Sequence, residues 1–279
     1  HNALVGHIDA TLGRDDLHLV VQCGRAAADA GAPDLLGRVD EILVPQGIWA
    51  YSDPARLIAR AFAAGRTKAG AVRTLLAEIG ILQQTLLTRA CQRIRDGEAE
   101  VVFVAGAEAK HRALLAQKLG RSVSETVQTE DTPDVMLHPE DEIWSPVESA
   151  AGLGMPVGFY AIIDSALRYK RGESIAQQRD QMAKMYAEFS AVAAANADAW
   201  SAQTVPAAHI REPSGSNRML AFPYTKLHNS QWNVDQGAGL ILCAAGVARD
   251  MGIAASQWVF PRASTESNFM STVSSRKDL

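Results

Sequence analysis

Cysteine is scarce in this chain, which carries only three among 279 residues. Cys23, Cys91 and Cys243 stand far apart in apolar runs, without CxxC or Cys/His ligand spacing. That pattern excludes a disulfide scaffold and a structural zinc site, and it is typical of reduced thiols in a cytosolic protein. The seven histidines also lack metal spacing such as HxH or HExxH, so no metal ion is expected.

The sequence also lacks a large excess of one sign of charge and a long apolar run. The net charge is -4 and the isoelectric point is near 6.0, which argues against general nucleic-acid binding. The uncharged run 237–248 is too short to cross a bilayer, and no secretory signal is visible at the start of the sequence. GxGxxG, Walker and GxSxG patterns are absent. We therefore expect a cytoplasmic protein with no nucleic-acid or membrane partner.

Segments of strand and helix character alternate along the first part of the chain. The patterns predict strands at residues 3–6, 39–44, 72–77 and 101–105, and helices from Asp16, from Pro54 and over about 80–95. This alternation predicts an α/β fold with a mainly parallel sheet covered by helices.

The middle of the sequence has a different character. Residues 122–149 contain no Lys or Arg and three prolines, which predicts an extended surface segment. Helical patterns follow from Met155 and from Ser174, where Ser174 and Gln177 have capping-box spacing. Further strands are predicted within 217–226, 234–243 and 258–260. The expected domains are an N-terminal half over 1–120, an inserted helical subdomain over 121–216 and the start of a second half over 217–279.

The stretch from Val72 to Lys110 combines a strand, a helix, a Gly97 stop and a second buried strand that leads into Glu108. This order, with the string QRIRDG at 92–97, resembles the nucleophile unit of the thiolase superfamily, in particular its sterol-carrier-protein-type and thiolase-like acetyl-CoA acetyltransferase branches. The string DQGA at 235–238 resembles the family's turn into its second half. The resemblance implies a layered, thiolase-like α/β fold with mainly parallel mixed sheets between helices and an inserted helical loop subdomain.

In that family a reactive Cys stands where the strand turns into the helix, and counting back without gaps from Gln92 places it on Gly80. The unpaired N–H groups and the dipole of a helix N-terminus lower the pKa of a thiol. Gly80 would supply the backbone donors but no sulfur. Cys91 lies about 16 Å further along the helix axis, at 1.5 Å per residue, on an apolar face where a free Cys behaves as a small hydrophobe.

The family's second half supplies further catalytic groups that this sequence does not contain. They are an acid/base Cys, the His of a GHP-type motif and the Asn of an NEAF-type segment. The resemblance covers nearly every residue, but it corresponds only to the first half to two-thirds of a full member.

Two side chains are candidates for chemistry. Glu108 matches the carboxylate of the family's GG-x-E motif, and because a buried carboxylate must be paired, a structural network and a catalytic role are both open. His228 stands in the segment 226–230, close to the acyl-CoA cleft if the family's fold holds, and Ser230, which ends that segment, is a candidate for contact with coenzyme A. A structural role for His228 is the alternative.

Coenzyme A or an acyl-CoA is the ligand that the resemblance implies, with no tightly bound cofactor. Met155 matches the family's nucleotide-contacting Met. Arg168 and Arg171 end a helix, where the dipole favours cations in any case, and attraction for the coenzyme A phosphates is the alternative.

Two functions remain open. One is an acyl-CoA-binding, thiolase-like protein of the acetyl-CoA acetyltransferase family, without standard thiolase activity because Gly80 replaces the nucleophile. The other is a non-catalytic scaffold or partner subunit of an acyl-CoA enzyme complex. The resemblance also implies a homodimer or homotetramer, or a partner protein.

Overall fold

The computed structural model describes residues 13–29, 33–62, 72–124, 126–231, 233–267 and 269–278. The strand expected at 3–6 lies outside these residues. The chain forms two compact units: unit 1 consists of His1–Glu140 and Asn233–Phe269, and unit 2 of Asp141–Trp232 and Met270–Leu279. The units are defined by packing alone, so the division into two thiolase-like halves around an insertion stays a prediction.

Helices and strands alternate in unit 1, whereas unit 2 is mainly helical. The helices are α1 (Asp16–Asp29), α2 (Pro54–Phe62), α3 (Gln83–Arg95), α4 (Lys110–Lys118), α5 (Pro146–Ala150), α6 (Pro156–Arg171), α7 (Ile175–Ala194), α8 (Ala207–Arg211) and α9 (Ala245–Asp250). The strands are β1 (Glu41–Pro45), β2 (Arg73–Ala77), β3 (Val101–Ala109), β4 (Val135–Leu137), β5 (Met219–Ala221), β6 (Tyr224–Thr225) and β7 (Asp235–Cys243).

Unit 1 is built on a five-stranded sheet with the order β4-β2-β1-β3-β7. The first four strands are mutually parallel, and β7 runs antiparallel to β3. Continuous apolar runs in β1 and β3 are buried on both faces of the sheet, as parallel sheets require. One face packs against α1 and α2 around Phe103, and the other packs against α3 around Val102. The predicted α/β fold with a mainly parallel sheet is confirmed.

Glycine allows α1 to approach this sheet closely. A Cβ on Gly24 would lie 2.6 Å from Cζ of Phe62 and 3.0 Å from Cζ of Phe103, and a Cβ on Gly239 would lie 2.9 Å from the Phe103 ring. The two rings meet edge to face, with centroids 5.3 Å apart. Any side chain at Gly24 or Gly239 would therefore displace a ring that is fully buried.

The segment 122–149, expected to be extended surface, contains β4 and the short helix α5. A polar network places β4 beside β2: Oδ2 of Asp134 accepts hydrogen bonds from the Thr74 N–H at 2.8 Å and from Arg56 at 3.0 Å. Gln128 bonds to both the N–H and the carbonyl of Asp53. Three residues are enough for a strand here because side chains, and not only the ladder, hold it to its neighbour.

Unit 2 contains the two predicted helices, α6 and α7, and Ser174 forms the predicted capping box with Gln177 at the start of α7. The patterns within 217–226 form the small antiparallel pair β5–β6. Among the residues that the structure describes, no helix is long and apolar enough to cross a membrane.

The strand expected at Trp258–Phe260 is wrong. A short 3-10 helix covers Ala255–Gln257 and the following residues are irregular. No strand of the described sheets pairs with this segment, and Val259 is 90% exposed. Trp258 instead donates its indole N–H to the Ile253 carbonyl at 3.0 Å. This hydrogen bond stabilises a local turn rather than a strand.

We expect Gly239→Ala to lower the free energy of unfolding by about 1–3 kcal/mol, because the new methyl group overpacks the core at Phe103. Gly246→Ala is the matched control: Gly246 lies in α9 with open space around its Cβ position, so the change should be neutral or stabilise by up to about 1 kcal/mol. Urea denaturation measures both. Equal effects at the two positions would contradict the proposed role of close packing.

Candidate functional site

The carboxyl ends of β1, β2 and β3 meet at one edge of the sheet, which is where ligands bind in many α/β proteins. Residues 46–53 follow β1, residues 78–82 follow β2, and Glu108 lies near the end of β3. The Gln46 N–H donates to the Ala77 carbonyl at 2.7 Å, which joins the loop after β1 to the end of β2. Because β1 lies between β2 and β3, the ends of those two strands are separated by about 10 Å.

Gly80 lies in the turn between β2 and α3, with a φ of 113°. Helix α3 begins at Gln83, three residues later than the sequence predicted, and Leu82 is its N-cap. The correction has a simple cause, since a positive φ is not helical. Gly80 therefore precedes the helix rather than starting it, and a Cβ at this position would strain the backbone.

None of the described cysteines offers an evident substitute for a nucleophile at this edge. Cys91 is half-buried within α3, and Cys243 is half-buried at the end of β7. Burial raises the pKa of the Cys243 thiol, so its nucleophilic thiolate form is disfavoured. Both side chains line a cavity of about 890 Å³ in unit 1, together with apolar residues of 253–261.

Glu78 is the first residue after β2, and its contacts are with the end of β4. Its Oε2 lies 2.9 Å from Nδ1 of His138, just after β4. Its N–H donates to the Leu137 carbonyl at 2.9 Å. Glu78 therefore joins the end of β2 to the end of β4.

Glu108 is half-buried and lies inside β3, whereas the sequence placed it after the strand. Its Oε1 accepts a hydrogen bond from the Ile48 N–H at 2.7 Å. Next to it, Trp49 donates its indole N–H to the Ala107 carbonyl at 3.2 Å. The structural alternative for Glu108 therefore has a defined partner, because its carboxylate holds the loop that follows β1.

Sequence reasoning missed that loop as part of the site. A Cβ on Gly47 would lie 2.0 Å from Nε1 of Trp49 and 2.6 Å from Oε1 of Glu108. The signal was present in the order Pro45-Gln46-Gly47, which ends a buried strand with a turn. Its partner, sixty residues away in the sequence, was not readable from the pattern.

His228 lies in unit 2 and is buried, with 2% of its surface exposed. Its Nδ1 accepts the Thr225 N–H at 3.1 Å and lies 2.9 Å from Oγ1 of the same residue. Its ring meets Tyr186 edge to face, with centroids 5.3 Å apart. Burial, and then the positive charge of Arg179, lower the pKa of His228. The imidazole is thus neutral and enclosed, which matches the structural alternative more closely than substrate contact.

Two tyrosines close the same region of unit 2. The hydroxyl of Tyr160 donates to Asn229, and the hydroxyl of Tyr224 donates to Asp164. Burial, together with the nearby Asp164 carboxylate, raises the pKa of Tyr224, so its phenol stays protonated. These groups order the segment that carries His228 and Ser230, and Ser230 itself is exposed.

Three of the four candidate coenzyme A residues, all except Ser230, lie towards the two ends of α6. Met155 is its N-cap and is 51% exposed. Arg171 is the last helical residue and is exposed, whereas Arg168 is half-buried and donates to the Glu173 carbonyl at 3.1 Å. Since α6 has 16 residues, its ends are about 24 Å apart. Met155 and Arg171 would therefore contact different parts of a single ligand.

In the described ranges, no group of three or more His, Cys, Asp and Glu side chains is placed to hold a metal ion.

The structure resembles solved thiolase-like proteins. It superimposes on a monomeric SCP2-thiolase-like protein type 1 from Mycobacterium smegmatis with a TM-score of 0.63 and 25% identity, over 87% of this chain and 45% of that one. It also superimposes on an Ltp2–ChsH2(DUF35) aldolase with a TM-score of 0.56 and 18% identity, over 85% of this chain and 53% of that one. The chain has a thiolase-like α/β fold and spans about half the length of these neighbours.

No protein-family model and no curated protein sequence matches the chain.

We expect Glu108→Ala to release the loop after β1, because the Ile48 N–H loses its acceptor, while Glu108→Gln keeps an oxygen in place. Hydrogen exchange at Ile48 should accelerate at least about tenfold in Glu108→Ala and change little in Glu108→Gln, since a lost hydrogen bond to a charged group is worth about 1.5–3 kcal/mol. Exchange at Ile48 in Glu108→Ala equal to that of the wild type would show that the carboxylate does not hold the loop.

Proposed function

We propose that this chain is an acyl-CoA-binding, thiolase-like protein of the acetyl-CoA acetyltransferase family that lacks standard thiolase activity. The observation that carries the proposal is the superposition, at 25% identity over 87% of the chain, on an SCP2-thiolase-like protein. The motifs at 92–97, 104–108 and 235–238 support it independently. The chemistry implied is acyl transfer to or from coenzyme A, in lipid or fatty-acyl metabolism within the cytoplasm.

The lack of thiolase activity follows from Gly80. Thiolysis needs a thiolate that attacks the 3-oxoacyl thioester and carries the acyl group. Gly80 offers no sulfur, and its φ of 113° disfavours any side chain there. Backbone N–H groups at the start of α3 remain as donors for a thioester oxygen, and main-chain donors of this kind stabilise an oxyanion without a nucleophile.

A partner subunit is the second candidate function. The chain is similar in fold to an Ltp2–ChsH2(DUF35) aldolase, whose name joins two proteins and gives a chemistry other than thiolysis. In this reading the present chain holds an acyl-CoA, or the assembly itself, while a partner protein supplies catalytic groups. As part of this second proposal, the chain could also associate with copies of itself as a homodimer or homotetramer.

We expect the 279-residue chain to show no thiolysis of acetoacetyl-CoA and no condensation of acetyl-CoA. Cys91 should remain unacetylated after incubation with acetyl-CoA, because it lies within a helix and not at the β2–α3 turn. Spectrophotometric thiolysis assays and intact-mass measurement check the two parts. Turnover by the chain, or stoichiometric acetylation of Cys91, would overturn the proposal that it lacks a nucleophile.

Coenzyme A binding tests the proposed ligand. We expect the combined variant Met155→Ala and Arg171→Ala to weaken binding in calorimetric titration by at least about tenfold, or about 1.4 kcal/mol. Each single change should produce part of the loss, since the two side chains lie at opposite ends of α6.

The matched control is Lys170→Ala, which removes an adjacent exposed cation and should leave the affinity within about twofold, as expected for general surface charge. Circular dichroism verifies the fold of each variant. Unchanged affinity in the folded double variant would place the ligand elsewhere.

A further inference from the structure

The Thr225–His228 corner of unit 2 holds an imidazole that is fixed in one protonation state. The Thr225 N–H donates to Nδ1 of His228, so Nδ1 accepts and carries no proton while this bond is made. The neutral ring then carries its proton on Nε2. Oγ1 of Thr225, beside Nδ1, also donates to the Ile210 carbonyl at 2.9 Å.

No carboxylate of the described residues forms an ion pair with the His228 imidazole. The corner packs against α7 and β6. Helix α7 presents Arg179 and Tyr186, β6 presents Tyr224, and the nearby Asp164 of α6 is already engaged by the Tyr224 hydroxyl. Among the described residues, Nε2 of His228 has no hydrogen-bond partner. A protonated ring would therefore be a buried cation near a second cation.

We propose that His228 is an acid-sensitive latch of unit 2, in which one proton taken up at Nδ1 turns an acceptor into a donor and releases the turn over 225–230. Protonation removes the acceptor of the Thr225 N–H and places a charge among tyrosine rings. Both costs disappear when the turn opens and the ring reaches water. The released turn includes Asn229, which anchors Tyr160, and the exposed Ser230.

The direction of the effect follows from the lowered pKa. Burial and Arg179 hold the pKa of His228 below its ordinary value of 6.5, so the open turn binds the proton more tightly than the closed turn. The latch is fully closed above that ordinary value and weakens as the pH falls below it. The opening equilibrium rises by at most about tenfold per pH unit, because one proton is involved.

Hydrogen exchange of the amides over 217–230 tests the latch in the full 279-residue chain, at about pH 7.5 and about pH 5.5. After correction for intrinsic exchange, we expect opening to rise several-fold to about tenfold in the wild type at the lower pH. His228→Asn keeps an oxygen near the position of Nδ1 and does not titrate, so its protection should be independent of pH. His209→Asn, which removes an exposed histidine from the same unit, should respond like the wild type.

An acid response in His228→Asn equal to that of the wild type, or no response in the wild type, would overturn the proposal. NMR titration of the wild-type imidazole supplies a test that needs no variant. The expected result is an Nε2–H tautomer at neutral pH and protonation below the ordinary range. An ordinary titration of His228 would also overturn the latch.

Discussion

The close contact between α1 and the β3–β7 pair is the constraint on which the rest of unit 1 depends. Phe103 fills that contact, and Gly24 and Gly239 leave space for its ring from two sides. A Cβ on Gly237, also in β7, would lie 3.0 Å from Sγ of Cys23 and 3.2 Å from Cβ of Leu19, so this glycine also permits the close approach of α1. With α1 seated in this way, β3 is fixed between β1 and β7. The end of β3, which carries Glu108, then reaches the edge where the loops after β1 and β2 meet.

Several specific contacts order this edge of the sheet, although the described residues offer no evident nucleophile there. Glu108 holds the loop after β1, Gln46 joins that loop to β2, and Glu78 joins β2 to β4 through His138. Each contact orders backbone, and none of these contacts needs a reacting group. Contacts of this kind order the edge whether or not it carries a reacting group, so they are compatible with both functions proposed for the chain.

The sequence predicted those parts of the fold that rest on long apolar periods. The runs at β1, β2 and β3 and the stripes of α2, α3, α6 and α7 were readable because burial imposes the pattern directly. β4 was not readable, since three residues carry no period and Asp134, Thr74 and Arg56 hold it in place. Trp258–Phe260 has the apolar character of a strand but no partner, and pairing cannot be read from one segment.

The candidate site was predictable only in part, for a related reason. Gly80, Glu108 and Met155 were found through strings that resemble a family. The partners of Glu108 and His228 depend on contacts across the fold, so the loop at 46–49 and the enclosure of the imidazole emerged only from the structure. The sequence predicted α6 and therefore the distance between Met155 and Arg171. It did not indicate that this distance makes the two side chains contact different parts of a single ligand.

The close packing around Gly47 also limits which substitutions the turn after β1 can accept. A methyl group at position 47 would overlap the indole nitrogen of Trp49 at 2.0 Å, a contact that no rearrangement of a methyl group relieves. A side chain at position 47 therefore requires that both the indole ring of Trp49 and the carboxylate of Glu108 shift. Substitutions at these three positions should be coupled rather than additive.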